Sequence, residues 1–472
     1  MTDAPRPPEP VDLLVSAGFM YPGAADPGAE AEVVTGAEVA VRDGRILYAG
    51  PACDPGRWAP AERLGGPGLA LLPGFVNAHC HAASTVFRGQ FDDGIGQKGL
   101  YTVSFRGESR VTPEDWRILA RLGVAEMILA GYTTLNDFWY CPDAMAELAL
   151  ETGLRLQVST EIFDVDKPSL ADGDYTRHAA VGEARLREGV RVAETWHGAG
   201  DGLITARIGP HAADTCSGGL HLDCAAEARR LGVGLHCHVA QSPQEVAQVQ
   251  AENNGMGPAE WLAEIGALGP DWVLAHLTRA GPRDLAAVAQ TGAGYAHCST
   301  IYPRRGHYPD LAAIRAAGIR TGFGSDWMMN DPFEGMRYAM NALRLREGRS
   351  EALRSDEALH HATAGAAEVL GLGGRVGRLV PGLEADLILV DLETPHMQPY
   401  YGVPSSLIFY ARASDVRHAV IRGRVAMRDR KVAGIDVDAA LRAVQARAPA
   451  LAALIAELGG AHRLGACPCG MH

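Results

Sequence analysis

The sequence predicts an α/β protein: a (β/α)8 TIM barrel carrying a small composite β-sandwich built from both chain ends. Three observations carry this reading. Apolar, strand-like runs alternate with helix-length segments rich in Ala, Leu, Glu and Arg, the βα signature of a parallel sheet. Eight such runs can be counted, at 71–79, 133–138, 154–159, 203–210, 232–238, 272–276, 292–298 and 320–326, and eight units in about 300 residues suit a barrel with some insertions. Four of the runs, the first, fifth, sixth and eighth, end on His or Asp, and barrel enzymes assemble their active sites at the C-terminal ends of the strands.

The flanks read differently. Residues 11 to 70 alternate short β-type runs with turns, as in Glu38–Gly50, where Asp43-Gly44 marks a hairpin. A similar pattern returns at Ala385–Asp391 and His418–Val425. The expected division is therefore 1–70 for the N-terminal part of the sandwich, 71–376 for the barrel, and 377–472 for the C-terminal part. That last part includes a terminal helix from Val437 to Leu458 with an Ala/Leu-rich face. The Cys467-Pro468-Cys469 tail could bind a soft metal but reads better as a loosely packed terminus.

Bulk properties exclude several classes. With 472 residues, 47% of them hydrophobic, the chain can bury a large core. A net charge of -13 leaves no basic surplus to neutralise phosphates, so neither nucleic acid nor an anionic membrane is expected as partner. No apolar run approaches the roughly 20 residues that span a bilayer, and Met1–Pro10 lacks an apolar signal-peptide core. A cytoplasmic enzyme acting on a small molecule, as a homodimer or higher homo-oligomer, is the expectation. Lysine occurs only at Lys98, Lys167 and Lys431. The nine cysteines form no disulfide-like framework, and Cys80 and Cys237, each between two histidines, read as small buried residues.

The chemistry lies in the strand ends. Leu72–His81 closes on His79-Cys80-His81, Gly234–His238 on His236-Cys237-His238, Val273–His276 on His276, and Thr321–Asp326 on Asp326. Imidazole and carboxylate suit a borderline divalent ion, and side chains two apart on a strand share a face, so His79 and His81 can grip one ion together. A lone His after an apolar run is ordinarily a core or loop residue. Four such ends in order outweigh that reading and point to a mononuclear metallohydrolase.

Pro73–His81, Gly209-Pro210-His211, His238-Val239-Ala240, His276 and Gly324-Ser325-Asp326 together resemble the amidohydrolase superfamily, in its cytosine-deaminase-like and triazine chlorohydrolase-like branch. The resemblance covers nearly the whole chain. It implies that His79, His81, His238 and Asp326 hold one divalent metal, zinc first, with Fe2+ or another transition metal as alternatives. It also implies that His276 lies beside the reacting atom, that His211 contacts the substrate, and that His236 is the non-liganding histidine of its pair. Binuclear relatives carry a carboxylated lysine on the fourth strand. Here that strand, Leu203–Pro210, has no lysine, so a single metal is expected.

A bound divalent ion lowers the pKa of its water from 15.7 toward about 7, giving hydroxide at neutral pH. Asp326 can take the water's proton and pass it on, and His276 can hydrogen-bond the developing oxyanion. The pattern breaks at Gln241. Aminohydrolases of this branch carry Glu three residues after the metal histidine, where it protonates a ring nitrogen; an amide cannot shuttle a proton, although Gln241 can hold the water or donate to a carbonyl. The expected function is hydrolysis of a non-peptide C–N bond of amide, urea or carbamate type. The alternative is an aminohydrolase of a purine, pyrimidine, pterin or triazine-like heterocycle. A non-catalytic scaffold runs against the presence of all four ligands.

Pocket walls are sought in Phe138, Trp139 and Tyr140 after the second strand, Tyr302, Arg304 and Arg305 after the seventh, and Trp327 and Met328 after the eighth. Trp139, Trp327 and Arg305 are the chosen substrate contacts beside His211. An apolar or aromatic substrate part would suit the tryptophans, and an arginine could read a carboxylate.

Overall fold

The computed structural model describes residues 7–29, 32–89, 99–327 and 329–458, so Met328 and the Cys467-Pro468-Cys469 tail lie outside the described residues. Sixteen strands are Glu9–Met20 (β1), Val34–Arg42 (β2), Arg45–Pro51 (β3), Trp58–Pro73 (β4), Phe75–Cys80 (β5), Tyr132–Phe138 (β6), Arg155–Ser159 (β7), Ile204–Ile208 (β8), Gly234–Val239 (β9), Trp272–His276 (β10), Gly294–His297 (β11), Thr321–Phe323 (β12), Leu387–Asp391 (β13), Val416–Ile421 (β14), Arg424–Arg428 (β15) and Lys431–Val432 (β16).

Strands β5 to β12 pair in sequence order and in parallel, each joined to the next through helical segments. The ladder closes where Cys80, at the end of β5, bridges Asp326, just past β12. This is the (β/α)8 barrel. Its strands are buried on both faces and so read as apolar runs without alternation. The bottom is plugged by the helix Ala364–Val369, whose Ala366, Ala367 and Val369 pack with Val76, Ala78, Val273, Ala275 and Ala296. The plug sits so close that a Cβ on Gly322 would lie 2.5 Å from Ala366 Cα.

The remaining strands form one sheet in the order β16-β15-β14-β13-β4-β1-β2-β3, so that β13, from the C-terminal end, lies against β4, from the N-terminal end. Asp43 (φ 53) and Gly44 (φ 73) make the tight turn between β2 and β3, the left-handed pair that an Asp-Gly hairpin needs. The sheet is mixed, because β1 runs parallel to β4. Leu13, Val15, Val39, Val41, Leu71, Leu387, Leu389 and Val420 share its apolar cluster. Arg155, 2% exposed on β7, donates to Glu384 at 2.6 Å and to Asp386 at 3.0 and 3.1 Å, tying barrel to sheet.

Two expectations need correction. The run 71–79 is two elements: Leu71–Pro73 completes β4, and β5 begins at Phe75. Gly74 makes the break because a Cβ there would collide with the Thr133 side chain, while its N–H is taken by Asp386 O at 3.0 Å. The terminal helix, Val437–Glu457, is long and apolar enough to cross a membrane by length and composition, where the sequence predicts no such segment. Leu451 and Ile455 are nonetheless buried, and Arg447 pairs with Asp115 at 2.6 Å on the neighbouring helix Pro113–Leu129.

Burial pushes two histidines away from the metal ligands, His221 and His297, down to about 3 from an ordinary 6.5. The unfolded chain takes up a proton at each near pH 6.5, the folded chain only near 3, so their stabilising effect is full above 6.5 and lost as pH falls toward 3. The unfolding free energy of the metal-free protein, read from denaturant titrations, should therefore drop steadily from pH 7 to pH 5, by up to about 1.4 kcal/mol per pH unit per histidine. A flat profile would show that these rings accept protons in the folded state.

Candidate metal centre

At the C-terminal mouth of the barrel, His79 from β5, His81 just after it, His238 from β9 and Asp326 just past β12 converge. All four are buried, from 0 to 4% exposed. Each histidine is oriented through one ring nitrogen. His81 Nδ1–H donates to Phe138 O at 2.6 Å and His238 Nδ1–H to His211 O at 2.8 Å, while His79 Nδ1 meets His236 Nε2 at 2.8 Å. With the proton on Nδ1, every Nε2 turns a lone pair inward.

The inward atoms fit a cation. Nε2 of His81 and Nε2 of His238 face each other at 3.3 Å, and Asp326 Oδ1 lies 3.5 Å from Nε2 of both His79 and His81. Among the described residues, His79 Nε2 and Asp326 Oδ2 are buried without a hydrogen-bond partner. Acceptors facing acceptors in a dry site repel unless a positive charge joins them, and three imidazoles with one carboxylate are a donor set for a divalent transition metal. Burial pushes the His79 pKa down to about 3 and those of His81 and His238 well below the usual range, keeping all three neutral and able to ligate. Burial also raises that of Asp326, against the pull of His81 and Arg305.

His276 lies with Nδ1 4.0 Å from Asp326 Oδ2 and its ring stacked on that of His238 at 5.2 Å. Its φ of 86° and the φ of 54° at Asp326 are left-handed values that non-glycine residues rarely adopt, a strain of order 1–3 kcal/mol each that marks functional positions. A cavity of about 20 Å³ fronts these groups and is lined by His81, His211, His238, Gln241, His276, Arg305, Asp326, Trp139 and Trp327, so the predicted substrate contacts and Gln241 come together there. His211 Nδ1 meets Thr215 Oγ1 at 2.9 Å. Trp139 packs on His81 at 4.7 Å, and among the described residues its buried Nε1–H has no partner. Trp327 stacks on Phe87 at 5.6 Å, and Arg305 lies 5.7 Å over Trp327. Among the described residues no hydrogen bond or ion pair holds the Arg305 guanidinium. Gln241 follows Ala240, whose φ of 53° turns the chain, and its N–H is held by Glu245 at 2.7 Å.

Some expected wall residues do other work. Phe138 stacks on His236 and His238 at 4.7 and 5.1 Å, behind the ligands, and Tyr302 donates to His276 O at 3.3 Å. Sequence reasoning missed Leu100, Phe105, Glu108 and Glu161, which also line the cavity. It also missed Lys167, which joins the two glutamates at 2.8 and 2.7 Å. The scarcity of lysine was the one available signal. Cys80 and Cys237 are buried beside the centre, as expected of small core residues.

Residues 70–426 match the model of the Amidohydrolase family. The chain belongs to that family. It is similar to the 5-methylthioadenosine/S-adenosylhomocysteine deaminase of Symbiobacterium thermophilum, 33% identical over 88% of this chain and 94% of the relative. The protein of that name from Syntrophobacter fumaroxidans is 35% identical over 89% and 92%. An adenosine deaminase from Xanthomonas campestris, solved with bound zinc, has a TM-score of 0.84 at 28% identity, covering 96% of this chain and 100% of that one. An atrazine chlorohydrolase from Arthrobacter aurescens complexed with zinc shares the fold, with a TM-score of 0.80 at 21% identity over 94% and 100%. This amidohydrolase is thus a metal-binding hydrolase of carbon–nitrogen bonds other than peptide bonds.

Because His236 holds His79 in its ligating tautomer, His236→Ala should weaken metal affinity about 10- to 100-fold, read by competition with a chelator. Unchanged affinity would show that His236 does not orient His79.

Proposed function

We propose that this amidohydrolase holds one divalent ion, zinc, on His79, His81, His238 and Asp326, and hydrolyses an amide, urea or carbamate C–N bond of a small molecule. Gln241 carries the choice of bond: it lines the cavity beside His276 and Asp326, where it can donate to a carbonyl but cannot protonate a heterocycle. When bound, the ion supplies Lewis acidity and makes water reactive near neutral pH.

The chain's own residues do the rest. Asp326 Oδ2, free of protein donors, takes the attacking water's proton. His276 hydrogen-bonds the oxygen on which negative charge develops. His211, Trp139 and Trp327 hold the substrate beside them, and the unclaimed guanidinium of Arg305 reads an anionic or carbonyl group on its far side. The cavity has room for about one water, so wall side chains must move to admit substrate. Phe105 and Glu108 also line a neighbouring cavity of about 950 Å³, large enough for the part of the substrate that does not react.

A second reading, deamination of a purine-like heterocycle, is favoured by the likeness to deaminases of adenosine and its derivatives. Turnover of a panel of amides, ureas, carbamates and aminoheterocycles decides between the two: the first predicts amine release from carbonyl compounds and, in Gln241→Glu, little gain on heterocycles. Ammonia from heterocycles alone, or a large gain in that variant, would overturn it. We also propose a cytoplasmic homo-oligomer, its assembly supported by the exposed Tyr401, Val403 and Tyr410 on one segment. Light scattering with metal analysis should give at least a dimer with one zinc per chain.

A further inference from the structure

One buried cluster in the cavity wall has no part in the mechanism above. Glu108, Glu161 and Lys167 are 4, 1 and 3% exposed, and Lys167 Nζ donates to Glu108 Oε2 at 2.8 Å, Glu161 Oε2 at 2.7 Å and Tyr140 Oη at 2.5 Å. Its ammonium also lies 4.4 Å from the centre of the Phe105 ring. Two carboxylates thus share one ammonium in a dry wall.

The two carboxylates are not equivalent. Glu108 is saturated: Ser104 donates to Oε1 at 2.5 Å, and Tyr140 at 2.8 Å joins Lys167 on Oε2. Glu161 takes the Lys167 bond on Oε2 and has Tyr140 beside it, and its Oε1 lies 3.7 Å from His211 Nε2. Thr215 donates its hydroxyl proton to Ala212 O at 3.3 Å and takes the His211 Nδ1–H at 2.9 Å, so Nε2 presents a lone pair to Oε1. Carboxylate oxygen against bare nitrogen is a place for one proton. The groups facing Glu161 are therefore Lys167, Glu108, Tyr140 and His211, and Glu161 itself lines the cavity.

We infer that Glu161 is the second proton-carrying residue of the site, delivering through Oε1 the proton that Gln241 cannot carry to the nitrogen of the scissile C–N bond. Burial raises the pKa of Glu161, opposed by Lys167. The step balances on the proposed hydrolysis, on which this inference rests. Water oxygen bonds to the carbonyl carbon as Asp326 takes one proton, and the carbonyl electrons move to its oxygen beside His276. When they return, the C–N bond breaks, nitrogen keeps the bond pair, takes the Glu161 proton and leaves as an amine. The proton on Asp326 returns to Glu161 through solvent, and the second water hydrogen remains on the acid product.

Glu161→Gln is the test, on the full-length metal-loaded enzyme and the panel compound it turns over best. Expected is a fall in kcat of about 10²- to 10⁴-fold with KM and zinc per chain unchanged and one limb of the pH–rate profile lost. Nitroanilide or nitrophenylurea compounds, whose amines leave without help, should lose far less than alkyl ones, and Glu161→Asp should recover part of the rate. A kcat within threefold of wild type, or equal losses on good and poor leaving groups, would overturn the assignment. An infrared comparison needs no substrate: a protonated-carboxyl band present near neutral pH should vanish in Glu161→Gln, and identical spectra would count against the proposal. If the wild type turned over no compound in the panel, the hydrolase reading would fall, and the band alone would support or overturn the proton on Glu161.

Discussion

The site depends on the seam that closes the barrel. Ser325 and Asp326 both donate their N–H groups to His79 O, at 3.1 and 3.0 Å, and His81 N–H donates to Asp326 O at 3.3 Å. Asn77 locks the seam from below, donating to Ser325 Oγ at 2.8 Å and accepting from Ser325 N at 3.0 Å. Gly324 is needed because a Cβ there would lie 2.8 Å from His79 O. The backbone bonds that turn a sheet into a barrel thus hold three of the four ligands in register. A seam shifted by one residue would aim Cys80 at the centre instead of His79 and His81, since neighbouring side chains point to opposite faces.

Dryness does the next part of the work. In water three imidazoles near a carboxylate would be protonated or hydrated. In the barrel mouth burial keeps the rings neutral, and backbone carbonyls of Phe138 and His211, with the His236 ring, claim their outer nitrogens. The inner atoms are left with no protein partner, and a cation satisfies them all at once. The strained backbone at His276 and Asp326 is tolerated because the barrel's own hydrogen bonds overdetermine it, Asp326 through the seam and His276 O through Tyr295 and Tyr302.

Much of this is legible in the chain. The eight βα units and their strand-end histidines and aspartate follow from residue type and period, because a strand end fixes where a side chain points, while the reading of His236 and of Gln241 comes from the family resemblance. Exact strand limits do not: the run at 71–79 is continuous in hydrophobicity, and only the Thr133 contact at Gly74 divides it. The amphipathic Val437–Glu457 helix shows the opposite failure, since composition alone does not reveal that Arg447 and Ile455 dock it on the barrel helices. Glu108, Glu161 and Lys167 were illegible for a deeper reason. They come from a short helix, a strand exit and a loop, with no shared spacing, and a charged residue in such places is ordinarily solvated. Only burial singles them out.

Gln241 and Glu161 then belong to one argument. A proton carrier must be buried enough to hold its proton near neutrality, and one oxygen must be free to give it up. Position 241 meets the geometric need but has lost the chemistry. Glu161 is a carboxyl that Lys167 bonds through Oε2, while Ser104 and Tyr140 keep Glu108 occupied. A carrier on this wall approaches the substrate from the side of His211 rather than from the loop after β9. On the proposed reading, an acid on that wall and a carbonyl-bound nitrogen as its target are two consequences of one arrangement, the amide of Gln241 and the carboxyl of Glu161 lining the same cavity.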